Sequence, residues 1–227
     1  MTIADVRGTL LRIQEQYGEC TECYAHQFRT GQTYGSWKNH RGGDVGRTIM
    51  IVLDRIDLDT LYSRRVPSGD FSEILQYLLG KIGLTLADVW VTPIALCPSI
   101  PRPNPDEWPP LEVVPVVKKS AWVACRPRLH REILYLEPEV VIAMGNNVSK
   151  ALWPKIHPKY HPSLGKIRDL RIPGKLGTRT VPVLITHSIL ELHKTRDLSH
   201  GGLWNKAYDH FQEAHKIGTY LQKLRNG

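Results

Sequence analysis

Four short runs rich in Val and Ile limit what this chain can fold into more than any other feature. They are Thr48 to Leu53, Val89 to Ala95, Val140 to Met144 and Val181 to Thr186. Each is nearly continuous in apolar residues instead of alternating. That pattern belongs to strands buried on both faces, as in a parallel sheet covered by helices. Helical patterns lie between the runs. From Phe71 to Ile82, apolar residues recur at Ile74, Leu75, Leu78, Leu79 and Ile82, which is helical spacing. Ala121 to Leu136 and Asn147 to Trp153 are further helix candidates, an N-terminal helix is expected over Ile3 to Tyr17, and a long C-terminal helix over Leu203 to Leu224. Strand–helix–strand alternation predicts a three-layer α/β/α sandwich on a central four-stranded parallel sheet. No repeat or linker divides the chain, so residues 1–227 are expected to form a single domain. Seven prolines between Pro98 and Pro115 rule out regular structure there and predict a long ordered loop.

No stretch of about 18 apolar residues is present, so no transmembrane helix is expected. The first residues lack a basic stretch followed by an apolar core, so no signal peptide is expected either. These features predict a cytoplasmic protein with no membrane partner, taken as a monomer. The formal net charge is +8. A basic balance suits a polyphosphate partner, because bound Lys and Arg release counterions from nucleic acid. Charge alone leaves nucleic acid and other partners equally open.

The four cysteines are Cys20, Cys23, Cys97 and Cys125. In a chain expected to be cytoplasmic they are better suited to metal than to disulfides. An opening C-x-x-C suggests a tetrathiolate site, which either zinc or a [4Fe–4S] cluster would accept. Zinc ribbons usually bring two C-x-x-C pairs, whereas here the second pair is split, which favours the cluster and leaves zinc as the alternative.

The order of these features resembles the family-four uracil-DNA glycosylases, the iron–sulfur branch of the uracil-DNA glycosylase superfamily. The resemblance rests on Gly18-Glu19-Cys20-Thr21-Glu22-Cys23, on Arg29-Thr30, and on the helix Ile74 to Leu84. It also rests on Asp88-Val89-Trp90-Val91-Thr92 followed by Cys97, on Cys125 followed by Glu139 to Gly145, and on Val181 to His187. It spans roughly residues 10 to 200. It implies the sandwich fold, a [4Fe–4S] cluster on the four cysteines, and excision of a base from DNA. The departures fall at the positions that would read the base. Where the family has a G-E-A-P-G carboxylate loop, this chain has Leu53-Asp54-Arg55-Ile56-Asp57, with Asp54 on the acidic position. The family's base-reading asparagine is replaced by Pro93, its stacking aromatic falls near Pro67, and its H-P pair becomes His187-Ser188.

Ligands in open α/β sheets bind beyond the carboxyl ends of the strands. Asp54 and His187 end the first and last runs, so both are expected to face one crevice as the catalytic pair. A carboxylate there supports the developing sugar cation or positions a water, and an imidazole donates to the departing base. Asp57 and Asp59 are alternatives for the acid, and Asp54 also suits a turn or helix cap. His161-Pro162-Ser163 imitates the H-P-S motif but precedes the last strand, so His187 is preferred. Pro67, Phe71, Pro93, Asn146 and Asn147 are assigned to the base pocket. The two asparagines start a helix, where they could either lie beside a phosphate or act as its cap. Leu190 and Leu192 are candidates for an apolar wedge into DNA or for ordinary packing. His193, Lys194, Arg196 and Arg168 are candidate DNA contacts. With two base-reading elements missing and an acid and a histidine retained, the expected activity is glycosylase action on a modified or bulky pyrimidine. Viral DNA would be one source of such a base, by analogy with a role in phage defence. The alternatives are a conventional uracil-DNA glycosylase and an inactive iron–sulfur DNA-binding protein.

Overall fold

A computed structural model of the chain describes residues 49–54, 66–96, 119–153, 163–174, 177–195 and 201–226, together with Asp59 and eight positions between 9 and 21. In chain order the elements are β1 (Ile49–Leu53), α1 (Gly69–Lys81), β2 (Val89–Pro93), α2 (Lys119–Leu136), β3 (Val140–Met144), α3 (Asn146–Leu152), β4 (Ile167–Gly174), β5 (Gly177–Thr186), α4 (Ile189–Lys194) and α5 (Gly201–Asn226). The sheet order is β2-β1-β3-β5-β4. β2, β1, β3 and β5 pair in parallel, as the four apolar runs imply, with Leu53 opposite Pro93 and Met144.

The sheet carries one strand more than the four expected. β4 runs antiparallel to β5 at the edge, with Gly174 opposite Gly177. Its sequence, IRDLRIPG, buries only Leu170 and Ile172. One side of this ribbon faces solvent, so the continuous apolar signature of a doubly covered strand is missing. Edge placement also tolerates Pro173, which has no N–H to give to a further strand. For the same reason β5 begins at Gly177, and only Val183 to Thr186 are buried without a break.

Alternation along the strands sorts the core into two layers. Met50, Val52, Trp90, Val141, Ala143, Val183 and Ile185 point to one face. There they meet Leu10 and Ile13 of the N-terminal segment, Leu129 and Ile133 of α2, and Val148 of α3. Ile49, Ile51, Leu53, Val89, Val91, Ile142 and Leu184 point to the other. They pack against Ile74, Leu75, Leu78 and Leu79 of α1, and against Ile189, Leu192 and Phe211 of α4 and α5. This is the expected three-layer sandwich. No helix among the described residues is long and apolar enough to cross a membrane. Both faces being covered, the carboxyl ends of the parallel strands are where polar side chains gather.

Candidate active site

Asp54 follows the last residue of β1 and is 3% exposed. The Ser188 hydroxyl donates to its carboxylate, at 3.1 Å from each oxygen. Ser188 is itself fixed as the N-cap of α4. Its Oγ accepts from Leu190 N–H at 3.2 Å, and its own N–H donates to Glu191 Oε2 at 2.9 Å, so a capping box holds the end of β5 to α4. Gly145, at the end of β3, closes against the acid from another side. A Cβ at this residue would lie 2.7 Å from Asp54 Oδ2, and its φ of +100° is one that side chains other than glycine rarely adopt. The Gly145 N–H donates to Thr186 O at 3.1 Å, so the ends of β3 and β5 are tied together beside the carboxylate.

His187, between Thr186 and Ser188, is 8% exposed. Its Nδ1 lies 3.6 Å from Glu191 Oε2, and its Nε2 is buried with no hydrogen-bond partner among the described residues. The ring stacks on His210 of α5, with centroids 5.9 Å apart and planes inclined by 15°. His210 Nδ1 shares a hydrogen bond with Thr186 Oγ1 at 2.9 Å. Burial pushes His210 down to about 4, with the neighbouring His187 acting in the same direction and Asp209 opposing. His210 is therefore neutral at neutral pH. The sequence points to neither His210 nor the Ser188 hydroxyl as part of the site. Ser188 does carry a signal, the S-x-x-E box of Ser188 and Glu191. His210 lies in an amphipathic helix where nothing in the sequence sets it apart.

The other expected site residues scatter around this rim. Pro93 ends β2, beside Leu53, and is buried. Its carbonyl accepts from Arg128 Nη2, a side chain fully buried in α2 that also donates to Thr92 Oγ1 at 2.8 Å and pairs with Glu132 at 2.6 Å. Pro67 is buried just before α1. Phe71 is 2% exposed in the core, edge-on to His193 with centroids 6.1 Å apart, and His193 Nε2 meets Asp70 Oδ2 at 2.8 Å. Asn146 and Asn147 are half-buried first residues of α3, but the cap position belongs to Gly145, with no side-chain hydrogen bond. Leu192 corrects an expectation. It is fully buried against the sheet, because the turn of α4 after Ser188 aims it inward, so it cannot also wedge into DNA. Leu190 is half-buried and Lys194 exposed. Arg168 is exposed on β4, 3.5 Å from Ser163 Oγ. Asp59 is exposed and lies against Gly69 at the start of α1, not at the Asp54 rim. Arg196 and Asp57 lie outside the described residues.

On the opposite face of the sheet, Cys125 of α2 is buried in the core with Ala95 and Trp122, and Cys20 is half-buried. Both are thiols. The Cys20 N–H donates to Tyr17 O at 3.3 Å, and Tyr17 packs against the core cluster that contains Cys125; burial holds the Tyr17 hydroxyl above its ordinary range, with Arg131 and Arg128 opposing. Ala95 and Leu96 lead the chain from this core towards Cys97. Cys97 and Cys23 lie outside the described residues, and the described residues alone contain no group of three metal-binding side chains.

The lowered His210 has a consequence for stability. In the unfolded chain an ordinary histidine takes up its proton at higher pH than His210 does in the fold. Between about 6.5 and about 4 the unfolded state therefore binds more protons, and stability falls as the pH falls through that window. Urea unfolding midpoints measured from pH 7 to pH 4 should show this slope, and His210→Gln should flatten it. An unchanged slope would mean that other groups carry the acid sensitivity.

Comparison with known proteins places this geometry. The sequence model of the uracil DNA glycosylase superfamily matches residues 30–215. A type-4 uracil-DNA glycosylase of Pyrobaculum aerophilum is 25% identical over 178 residues, covering 78% of this chain and 81% of the relative. A type-4 uracil-DNA glycosylase of Saccharolobus solfataricus is 24% identical over 157 residues, covering 69% of this chain and 64% of the relative's length. The matched region runs through β1 to β5 and into α5, and so includes Asp54, His187 and Ser188. With most of its length matched, the chain belongs to the uracil DNA glycosylase superfamily.

Proposed function

We propose that this protein is a DNA glycosylase that draws a nucleotide out of DNA and hydrolyses its N-glycosidic bond, with a modified or bulky pyrimidine as the preferred base. The observation that carries this reading is the meeting of Asp54, Ser188 and His187 at one end of the sheet, two of them on a single capped turn. The superfamily match and the names of the two relatives support the reaction class. In the proposed mechanism the base is extruded into the crevice beyond the strand ends. As the C1′–N1 bond breaks, the electron pair leaves with the base and the sugar becomes cation-like. Asp54, held by the Ser188 hydroxyl, stabilises that cation or positions the water that adds to C1′. His187 donates through Nε2 to a base carbonyl, and the proton lost by the water is balanced by the proton gained by the base. Lys194, His193 and Arg168 are proposed to contact DNA phosphates, with Leu190 filling the space left by the extruded base.

Single-turnover assays on duplexes carrying uracil or hydroxymethylated or glucosylated pyrimidines test this reading by the abasic sites they yield. Excision of a modified base should fall on the order of 10²–10³-fold in His187→Ala, as for loss of a group that stabilises developing charge. It should fall comparably in Asp54→Ala. Efficient removal of uracil with no activity on any modified base would overturn the proposed preference. Full activity in both variants would overturn the proposed catalytic pair.

Cys20, Cys23, Cys97 and Cys125 are proposed to hold one [4Fe–4S] cluster with a structural role, tying the N-terminal segment to α2. The soft thiol set suits iron–sulfur or zinc, and the placing of Cys20 next to Tyr17, which packs on the core cluster of Cys125, supports a shared site. Anaerobically purified protein should be brown, with iron and acid-labile sulfide in equal amounts, and Cys125→Ala should lose both. Colourless protein with one equivalent of zinc would replace the cluster with zinc, and a disulfide between any two of these residues would overturn the site.

A further inference from the structure

We infer that His210 of α5 is a positioning residue for the reaction: its ring, laid flat on the imidazole of His187, sets the direction in which His187 presents Nε2. This rests on the glycosylase reading and adds a residue to the same site. The backbone around His187 is held by its neighbours, since the Thr186 carbonyl accepts from the Gly145 N–H and the Ser188 N–H donates to Glu191. The imidazole still turns about two side-chain torsions, so a further contact must hold it.

The edges of the ring do not supply that contact. Nδ1 is 3.6 Å from Glu191 Oε2, beyond hydrogen-bonding length, and that oxygen already accepts the Ser188 N–H at 2.9 Å. Nε2 is buried with no hydrogen-bond partner among the described residues. The face of the ring is different. His210 covers it with planes inclined by 15° and centroids 5.9 Å apart, within the range of an offset stack. A neighbour on the face limits tilt about both torsions and leaves Nε2 for the base.

His210 can act as this stop because it is itself fixed from two sides. Its Nδ1 shares a hydrogen bond with Thr186 Oγ1 at 2.9 Å, and Thr186 is fully buried. Its other edge meets the backbone of Gly165. A Cβ at Gly165 would stand 2.5 Å from His210 Nε2 and 2.9 Å from Cδ2, so a side chain there would displace the ring, and the φ of +72° favours glycine as well. Gly165 is anchored in turn, its N–H donating to Ile185 O at 2.8 Å. Three consecutive residues at the end of β5 therefore take part: Ile185 places the glycine, Thr186 holds the His210 ring, and His187 receives it. The charge of His210 suits the role. Burial, then His187 and Lys206, hold it down to about 4 against the opposing Asp209, so at neutral pH an uncharged flat surface lies against His187.

The test removes the ring and keeps its hydrogen bond. Asparagine puts an amide near the place of Nδ1, so His210→Asn can still meet Thr186 but cannot stack. Single-turnover excision from the most rapidly cleaved of the duplexes named above should slow by about tenfold or more, the cost of a slightly misplaced reacting group. The Kd for the same duplex should stay near the wild-type value. In a His187→Ala background the same substitution should change the rate little, because a residue that acts through His187 has nothing left to act on. A wild-type rate in His210→Asn, equal slowing in both backgrounds, or a loss of duplex affinity in step with the rate would overturn the inference and leave the role of His187 standing. Full activity in His187→Ala would overturn that role and the inference with it. If the wild-type protein excises none of these bases, the imidazole NMR signals of His187 decide. They should shift and broaden in folded His210→Asn, and unchanged signals would overturn the inference.

Discussion

The carboxylate of Asp54 is buried at the end of one strand and receives its hydrogen bond from Ser188, at the start of a helix 134 residues further on. Removing a carboxylate from water is costly unless hydrogen bonds replace hydration. The need to satisfy that group therefore constrains everything around it. Ser188 must present its hydroxyl, which the α4 capping box fixes. The end of β3 must approach without a side chain, which Gly145 allows. Thr186 O holds the Gly145 N–H, so β1, β3 and β5 are drawn to one point. His187 has no independent freedom, since the residues on either side of it are both engaged.

The two outer layers support this rim in different ways. On one face, α5 lays His210 flat against His187 and ties it to Thr186. Because His210 is held neutral, it supports the strand end without placing a positive charge beside His187. On the other face, α2 uses the buried Arg128–Glu132 pair to hold the end of β2. Cys125 stands one helical turn before Arg128 on the same helix, and the charge of Arg128 also reaches Tyr17 beside Cys20. Cys125 and the arginine that holds the end of β2 thus share one short stretch of α2.

Much of this is legible in the sequence, for stated physical reasons. β1, β2, β3 and β5 are buried on both faces, so their apolar runs stand out, and their carboxyl ends locate Asp54 and His187. β4 is hidden because Asp169 and Arg171 fill its solvent face and Arg168 is exposed as well, so the segment reads as a charged stretch and not as a strand. Ser188 looks like the loss of a motif, when its hydroxyl donates to the buried Asp54 carboxylate. Leu192 shares its apolar character with Leu190, and only the pitch of α4 separates the buried leucine from the half-buried one. His210 and Arg128 cannot be found from sequence, because their roles depend on which helix covers which strand end, and polar residues in amphipathic helices look alike until the layers are assembled.

The central claim is that Asp54 and Ser188 act as one unit, and a double-mutant cycle on base excision tests it most directly. Ser188→Ala should slow single-turnover excision by about tenfold or more while the protein remains folded, since the carboxylate loses a hydrogen-bond donor that positions it. In an Asp54→Asn background the same substitution should change the rate little, because groups that act together are strongly non-additive. Two independent effects that multiply, or a Ser188→Ala variant with the wild-type rate, would contradict the account.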